Sequence, residues 1–137
     1  MNRRMNRRGR VPITLLLALL LVLPGAGAAA AQTSELPPPI YEDKLLRLAE
    51  ILGSLSFLRD LCGEDDGGMW REEMSVLLSA EDPGPERRQR LVARFNHGFE
   101  TLNAVYLSCT PSAERAIARY LAEGQVLAGE VRSRYSQ

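Results

Sequence analysis

YEDKLLRLAEILGSLSFLRDLC, residues 41–62, is the stretch that decides the fold. Leu45, Leu48, Leu52, Leu55, Leu58 and Cys62 recur at steps of three and four, which on a helix of 3.6 residues per turn places them on one face. Leu46, Ile51 and Leu61 widen that stripe, so this segment, about Tyr41 to Cys62, is expected to be the most buried element. Gly63 then marks its end, because glycine takes up the left-handed cap conformation with no Cβ penalty.

The same period continues downstream. A short second helix is expected over about Met69 to Ala80, with Trp70, Met74, Leu77 and Leu78 facing inward. Asp82-Pro83-Gly84-Pro85 stops and restarts the chain, with Asp82 or Gly84 as the N-cap and a proline in the first turn. A third helix runs from about Glu86 to Ser108. Leu91, Phe95, Gly98, Leu102, Val105 and Cys109 share its apolar face, with Val92, Phe99 and Tyr106 beside them. Thr110-Pro111 ends it and opens a fourth helix to about Ser133, with Ile117, Tyr120, Leu121, Leu127 and Val131 inward. No strand pattern is visible. Short links between four helices predict an all-α, small four-helix up-down bundle. Gly98 and Gly124 fall inside helices at a cost of about 1 kcal/mol each relative to alanine, which points to close helix approach, most clearly for Gly98 on the core face.

The N-terminus sets the compartment. Arg3, Arg4, Arg7, Arg8 and Arg10 precede an apolar run, Val11 to Leu23; Pro24-Gly25 break it, and Ala29-Ala30-Ala31 offers a small-x-small cleavage site. This is the three-part pattern of a secretory signal over residues 1–31, and it predicts a periplasmic or secreted protein. The rival reading is an uncleaved anchor. A spanning helix needs roughly 20 apolar residues, and Pro24, Gly25 and Gly27 interrupt the run before that length is reached. Residues 32–40 hold Pro37-Pro38-Pro39 and are expected to form an extended leader, leaving residues 41–137 as the helical domain.

Export changes the charge. The full chain has 17 basic and 17 acidic residues, and five of the basic ones lie before residue 32, so the chain from Gln32 onward carries a net charge of −5. An acidic surface is repelled by phosphate backbones and anionic lipid, which disfavours nucleic acid and membrane-surface roles and stable membrane insertion after cleavage.

Two cysteines in an oxidising compartment usually pair. Cys62 and Cys109 end the first and third helices, which run parallel in an up-down bundle and so terminate at the same end. The bridge closes a loop of 48 residues, counting both cysteines, and is expected to stabilise by about 4 kcal/mol on the chain-entropy model. Redox motifs bring their cysteines within a few residues, so a structural bridge is the stronger reading. Two cysteines and one histidine make no zinc site, and no metal or cofactor is expected.

The remaining candidates each have a plain reading beside a functional one. His97, the only histidine, has no partner at catalytic spacing and reads as an exposed helical residue. Glu64-Asp65-Asp66 lacks the alternation of a calcium loop and reads as a solvated turn. Arg87, Arg88, Arg90 and Arg94 crowd the start of the third helix, where the macrodipole disfavours cations. They are either ion-paired with Glu81, Glu86 and the acids of the second helix, or an anion contact. Trp70, the sole tryptophan, is either core or a half-exposed anchor for a partner. The expected contact surface, if there is one, joins the acidic loop to Trp70 and Arg71 and to Arg87, Arg90 and Arg94.

Leu61-Cys62-Gly63, Trp70-Arg71, Arg94-Phe95-Asn96-His97-Gly98-Phe99, the Y-x-x-C-T run from Tyr106 to Thr110, and Arg119-Tyr120-Leu121 together resemble a family of small exported alphaproteobacterial proteins, domain of unknown function 2385. The likeness covers about Tyr41 to Leu127. It implies a helical exported domain with no assigned activity, and it supplies no catalytic residue. At the level of fold alone the chain also resembles helical acid-stress chaperones of the HdeA type, which are small and hold one disulfide. The expected function is therefore a non-enzymatic periplasmic protein that binds another envelope protein as an adaptor, inhibitor or assembly factor. The alternative is an acid-activated stress chaperone. The sequence leaves the oligomeric state open.

Overall fold

A computed structural model describes residues 37–134; the signal pattern and Gln32–Leu36 of the leader lie outside the described residues. Four helices follow one another: α1, Glu42–Leu61; α2, Gly67–Glu81; α3, Pro85–Val105; and α4, Pro111–Arg134. No strand occurs among the described residues. The all-α four-helix reading holds, with each boundary within three residues of the periodic one.

The ends are set by local chemistry. Past α1, Gly63 sits at φ 81°. Its N–H donates to the Asp60 carbonyl and that of Glu64 to the Arg59 carbonyl, the paired bonds of a Schellman stop. The Asp60 carboxylate then accepts the Gly67 N–H at 2.7 Å and so caps the start of α2. Of the two candidate caps before α3, Gly84 is the one used, with Pro85 in the first turn; Asp82 instead closes α2 in the left-handed conformation. Thr110 Oγ1 accepts the Ala113 N–H at 3.2 Å, as its cap role requires.

α1 is the hub. It packs against α2, α3 and α4, whereas α2 barely meets α3 and α4 packs on α1 alone. This is why its apolar residues run round the helix rather than along one stripe: Leu45, Ala49, Ile51, Leu52, Leu55 and Leu58 are all buried. Directions alternate as expected. Glu42 meets Arg87 and Cys62 meets Cys109, so α3 runs parallel to α1; Lys44 meets Glu130 and Arg47 meets Glu123, so α4 runs antiparallel.

The α1–α3 contact is a backbone crossing. A Cβ on Gly98 would lie 2.1 Å from the Glu50 carbonyl oxygen, and one on Gly53 would lie 1.9 Å from that of Phe95. Only glycine permits this approach from both helices, and Gly53 is the half that the apolar pattern does not announce. Gly98→Ala is expected to lower stability by about 1–3 kcal/mol through overpacking. Gly129, in α4 with nothing within 4 Å of a built Cβ, is the control: alanine there is expected to add about 0.5–1 kcal/mol. Urea midpoints of the two variants should move in opposite directions.

Two features of α3 differ from the sequence reading. Val105 is 64% exposed, and Cys109 lies beyond the helix because Tyr106 turns extended at φ −107°, ψ 115°. The chain leaves the helix early so that it can reach Cys62. The bridge Cys62–Cys109 is formed, with Cα atoms 4.8 Å apart. Nearby, Phe57 and Phe99 meet edge to face at 5.4 Å, and Leu58, Leu102, Ala113 and Ala116 form a second apolar cluster under the bridge end.

Candidate functional site

Because α2 and α4 both dock on α1 but not on each other, a cleft of about 700 Å³ runs between them. Its floor is α1, through Leu45, Leu48, Ile51, Leu52 and Leu55. One wall is α2, from Met69 and Trp70 through Val76, Leu77 and Ala80 to Glu81. The other is α4, from Tyr120 and Leu121 through Gly124 and Ala128 to Val131 and Arg132. Ala128 keeps the α4 wall low, while a Cβ on Gly124 would lie 3.4 Å from Ile51 Cγ2, so that glycine serves the approach of α4 to α1. Met69 and Val76 are half exposed, at 50% and 53%, so the α2 wall presents apolar surface to solvent.

Charge at the cleft is sparse and uneven. Glu81 is held by Arg87, and Arg132 is also engaged. Glu73, midway along the α2 wall, is exposed and makes no hydrogen bond or ion pair among the described residues. Outside the cleft, α4 is tied to α1 by polar pairs: Lys44 to Glu130, and Arg47 to Glu123 through two bonds of 2.7 and 2.9 Å. The guanidinium of Arg47 also lies 5.7 Å from the centre of the Tyr120 ring. Arg47 hydrogen-bonding holds the Glu123 carboxyl below its ordinary pKa.

The residues singled out from sequence fall into separate regions. Trp70 is half-buried: it packs against the main apolar cluster and lines the cleft, and its Nε1–H donates to Asp66 Oδ1 at 3.1 Å. Arg71 donates to Ser56 Oγ at 2.8 Å and lies 3.8 Å from Asp60. Arg87 is buried at the far end, where it donates to Glu42 at 2.6 Å and to Glu81 at 2.5 Å. Burial opposes its charge, yet the bonds to these carboxylates prevail and raise its pKa. Arg94 lies 3.7 Å from Glu50, and Arg90 is exposed, as is His97. Arg71, Arg87 and Arg94 thus each lie against acids of this chain: Asp60, Glu42 with Glu81, and Glu50. Trp70 and Arg71 stand in the first turns of α2, and Arg87 follows its end in the first turn of α3.

The acidic loop is likewise spent on internal contacts. Asp66 accepts two bonds from Arg59 Nε at 2.9 Å, with a third contact to Nη2, and Glu64 lies 3.6 Å from the same guanidinium. The Arg59 hydrogen bond, aided by the Trp70 indole, holds the Asp66 carboxyl below its ordinary 3.8 against the opposing effect of burial. A carboxyl depressed in the folded state adds stability above its unfolded pKa and loses it as pH falls through the folded value. Asp66→Asn is thus expected to cost about 1–2 kcal/mol at pH 7. The gap to wild type should shrink on acidification below about pH 4. Urea titrations at pH 7 and pH 3 would show it, and a gap that stays constant would contradict it.

The sequence reading missed Met69, Val76 and Ala80 on α2, and Ala128 on α4. The signal was a second apolar row on α2, at 69, 73, 76–77 and 80, broken only by Glu73.

A family model described as Protein of unknown function (DUF2385) matches residues 39–135. No curated protein and no solved structure matches the chain.

Proposed function

We propose, from the premise that this chain belongs to the DUF2385 family, that it is an exported, non-enzymatic protein of the cell envelope that binds another protein. The role would be that of an adaptor, inhibitor or assembly factor. The observation that carries this reading is the α2–α4 cleft, an apolar channel with half-exposed Met69 and Val76 on its lip. Contiguous exposed apolar surface of this kind marks interaction sites. The signal pattern of residues 1–31 supports the compartment, and the Cys62–Cys109 bridge suits an oxidising one.

The test is a crosslinking pull-down from envelope extract with the chain from Gln32 onward as bait, set beside Val76→Asp. Val76 is on the lip, so the variant is expected to keep its helical circular dichroism and to lose a stoichiometric partner. Retention of that partner at undiminished yield would refute the cleft as the binding surface.

One observation favours a second reading, the acid-activated chaperone. Arg87 is buried between Glu42 and Glu81, and Glu42 Oε1 is buried without a hydrogen-bond partner. The cluster joins the starts of α1 and α3 to the end of α2, and its disruption would loosen three helix ends. Suppression of client aggregation at low pH, with no partner captured at neutral pH, would select this reading over the first.

A further inference from the structure

Three properties of the α2–α4 cleft select its occupant. The first is shape. From Met69 to Glu81 the α2 wall is about 18 Å long, or three helical turns. The cleft is open along that length rather than enclosed. Of its floor, Leu48 is half-buried while Leu45, Leu52 and Leu55 are nearly covered, and the exposed Met69 and Val76 stand beside it at i, i+7 spacing, an apolar row of the kind against which another helix docks. The second is wall height. Ala128 on one side and Ala80 on the other carry only a methyl, which leaves room for a helix backbone to come close. The third is charge. Glu73 is the cleft residue whose carboxylate has no partner among the described residues, and the chain from Gln32 onward carries a net charge of −5. A fatty acid or an anionic lipid would bring a second negative charge to that wall; a cationic side chain would complement it.

Resting on the protein-binding reading above, we infer that the cleft receives an amphipathic α-helix of a partner protein, about three turns long. Its apolar side chains rest on Leu48, Met69 and Val76, and a lysine or arginine flanking that face meets Glu73.

Trp70 is the sole tryptophan and lines the cleft, so its emission reports occupancy directly. The probes are a 14-residue helical peptide with leucines on one face and flanking lysines, the same peptide with glutamates for lysines, a scrambled lysine peptide, and oleate. The expected result is a saturable one-to-one shift with the leucine–lysine peptide. The glutamate peptide should bind about threefold to tenfold more weakly, as an exposed pair turned from attraction to repulsion implies. Glu73→Lys should invert the order of the two. Equal binding of both charged peptides, or of the scrambled one, overturns the inference. So does an oleate shift that exceeds the peptide's, or a shift that grows with protein concentration alone, which would identify a second copy as the occupant. The two levels separate cleanly. If Val76→Asp abolishes capture of the envelope partner while Glu73→Lys leaves it unchanged, the cleft binds protein and the cationic-helix assignment alone fails.

Discussion

Arg87→Met is expected to cost about 3–5 kcal/mol of unfolding free energy, the usual penalty for removing one member of a buried ionic cluster. Arg87 stands at the start of α3, where the helix dipole disfavours a cation. It is nevertheless only 8% exposed. The reason is its partners: Glu42 in the first turn of α1 and Glu81 in the last turn of α2, whose side chains are 11% and 4% exposed. One guanidinium thus fastens three helix ends. Removing it leaves two carboxylates in a water-poor site without the guanidinium that bridges them, and that cost exceeds anything gained from the dipole. The cluster as a whole is a different matter, since an apolar replacement of similar volume spares all three desolvation penalties. The triple variant Arg87→Met, Glu42→Leu, Glu81→Leu is therefore expected to recover most of the loss. Guanidinium denaturation at pH 7 reads both. A single variant within 1 kcal/mol of wild type would mean that the cluster is not buried in solution.

The second large effect concerns the bridge. Cys62→Ser with Cys109→Ser is expected to remove about 4 kcal/mol, from the freedom returned to the unfolded chain across a separation of 47 residues. Small domains hold about 5–15 kcal/mol in all, so the loss is about a quarter of the total or more. Wild type in strong reductant should match the double variant. Val105 and Leu107 beside the bridge are 64% and 92% exposed, so the segment that carries Cys109 is held by the bridge rather than by their burial. Coincident unfolding curves with and without reductant would disprove the prediction.

What the sequence disclosed and what it withheld have the same origin. Periodicity reports which face of a helix is apolar, so Leu45 through Leu58 announced a buried α1, and Thr110-Pro111 announced where α4 begins. The cysteines could be paired because both follow parallel helices, Cys62 directly and Cys109 four residues past α3. Periodicity does not report which helix lies across from which. Gly53 therefore read as one more residue of α1, since its partner, the Phe95 backbone, carries no sequence signal. Glu42 lies 45 residues from Arg87, so nothing local linked them. The cleft escaped notice for the same reason: it is made by a contact that α2 and α4 do not form. Arg71 with Asp60, Arg87 with Glu42 and Arg94 with Glu50 each join different helices, so periodicity along one helix could not pair them.

The position of α4 has a consequence for motion. The disulfide closes a covalent ring, residues 62–109, that contains α2 and α3 and leaves α4 outside it. α4 also has one neighbour, α1, and few fully buried side chains: Ala113, Ala116 and Val131. A helix attached in this way can open without breaking the rest of the molecule. Its amides are expected to exchange with deuterium well ahead of those of α1, and equal protection of the two would contradict this. One bank of the cleft is thus anchored in the ring, and the other is hinged.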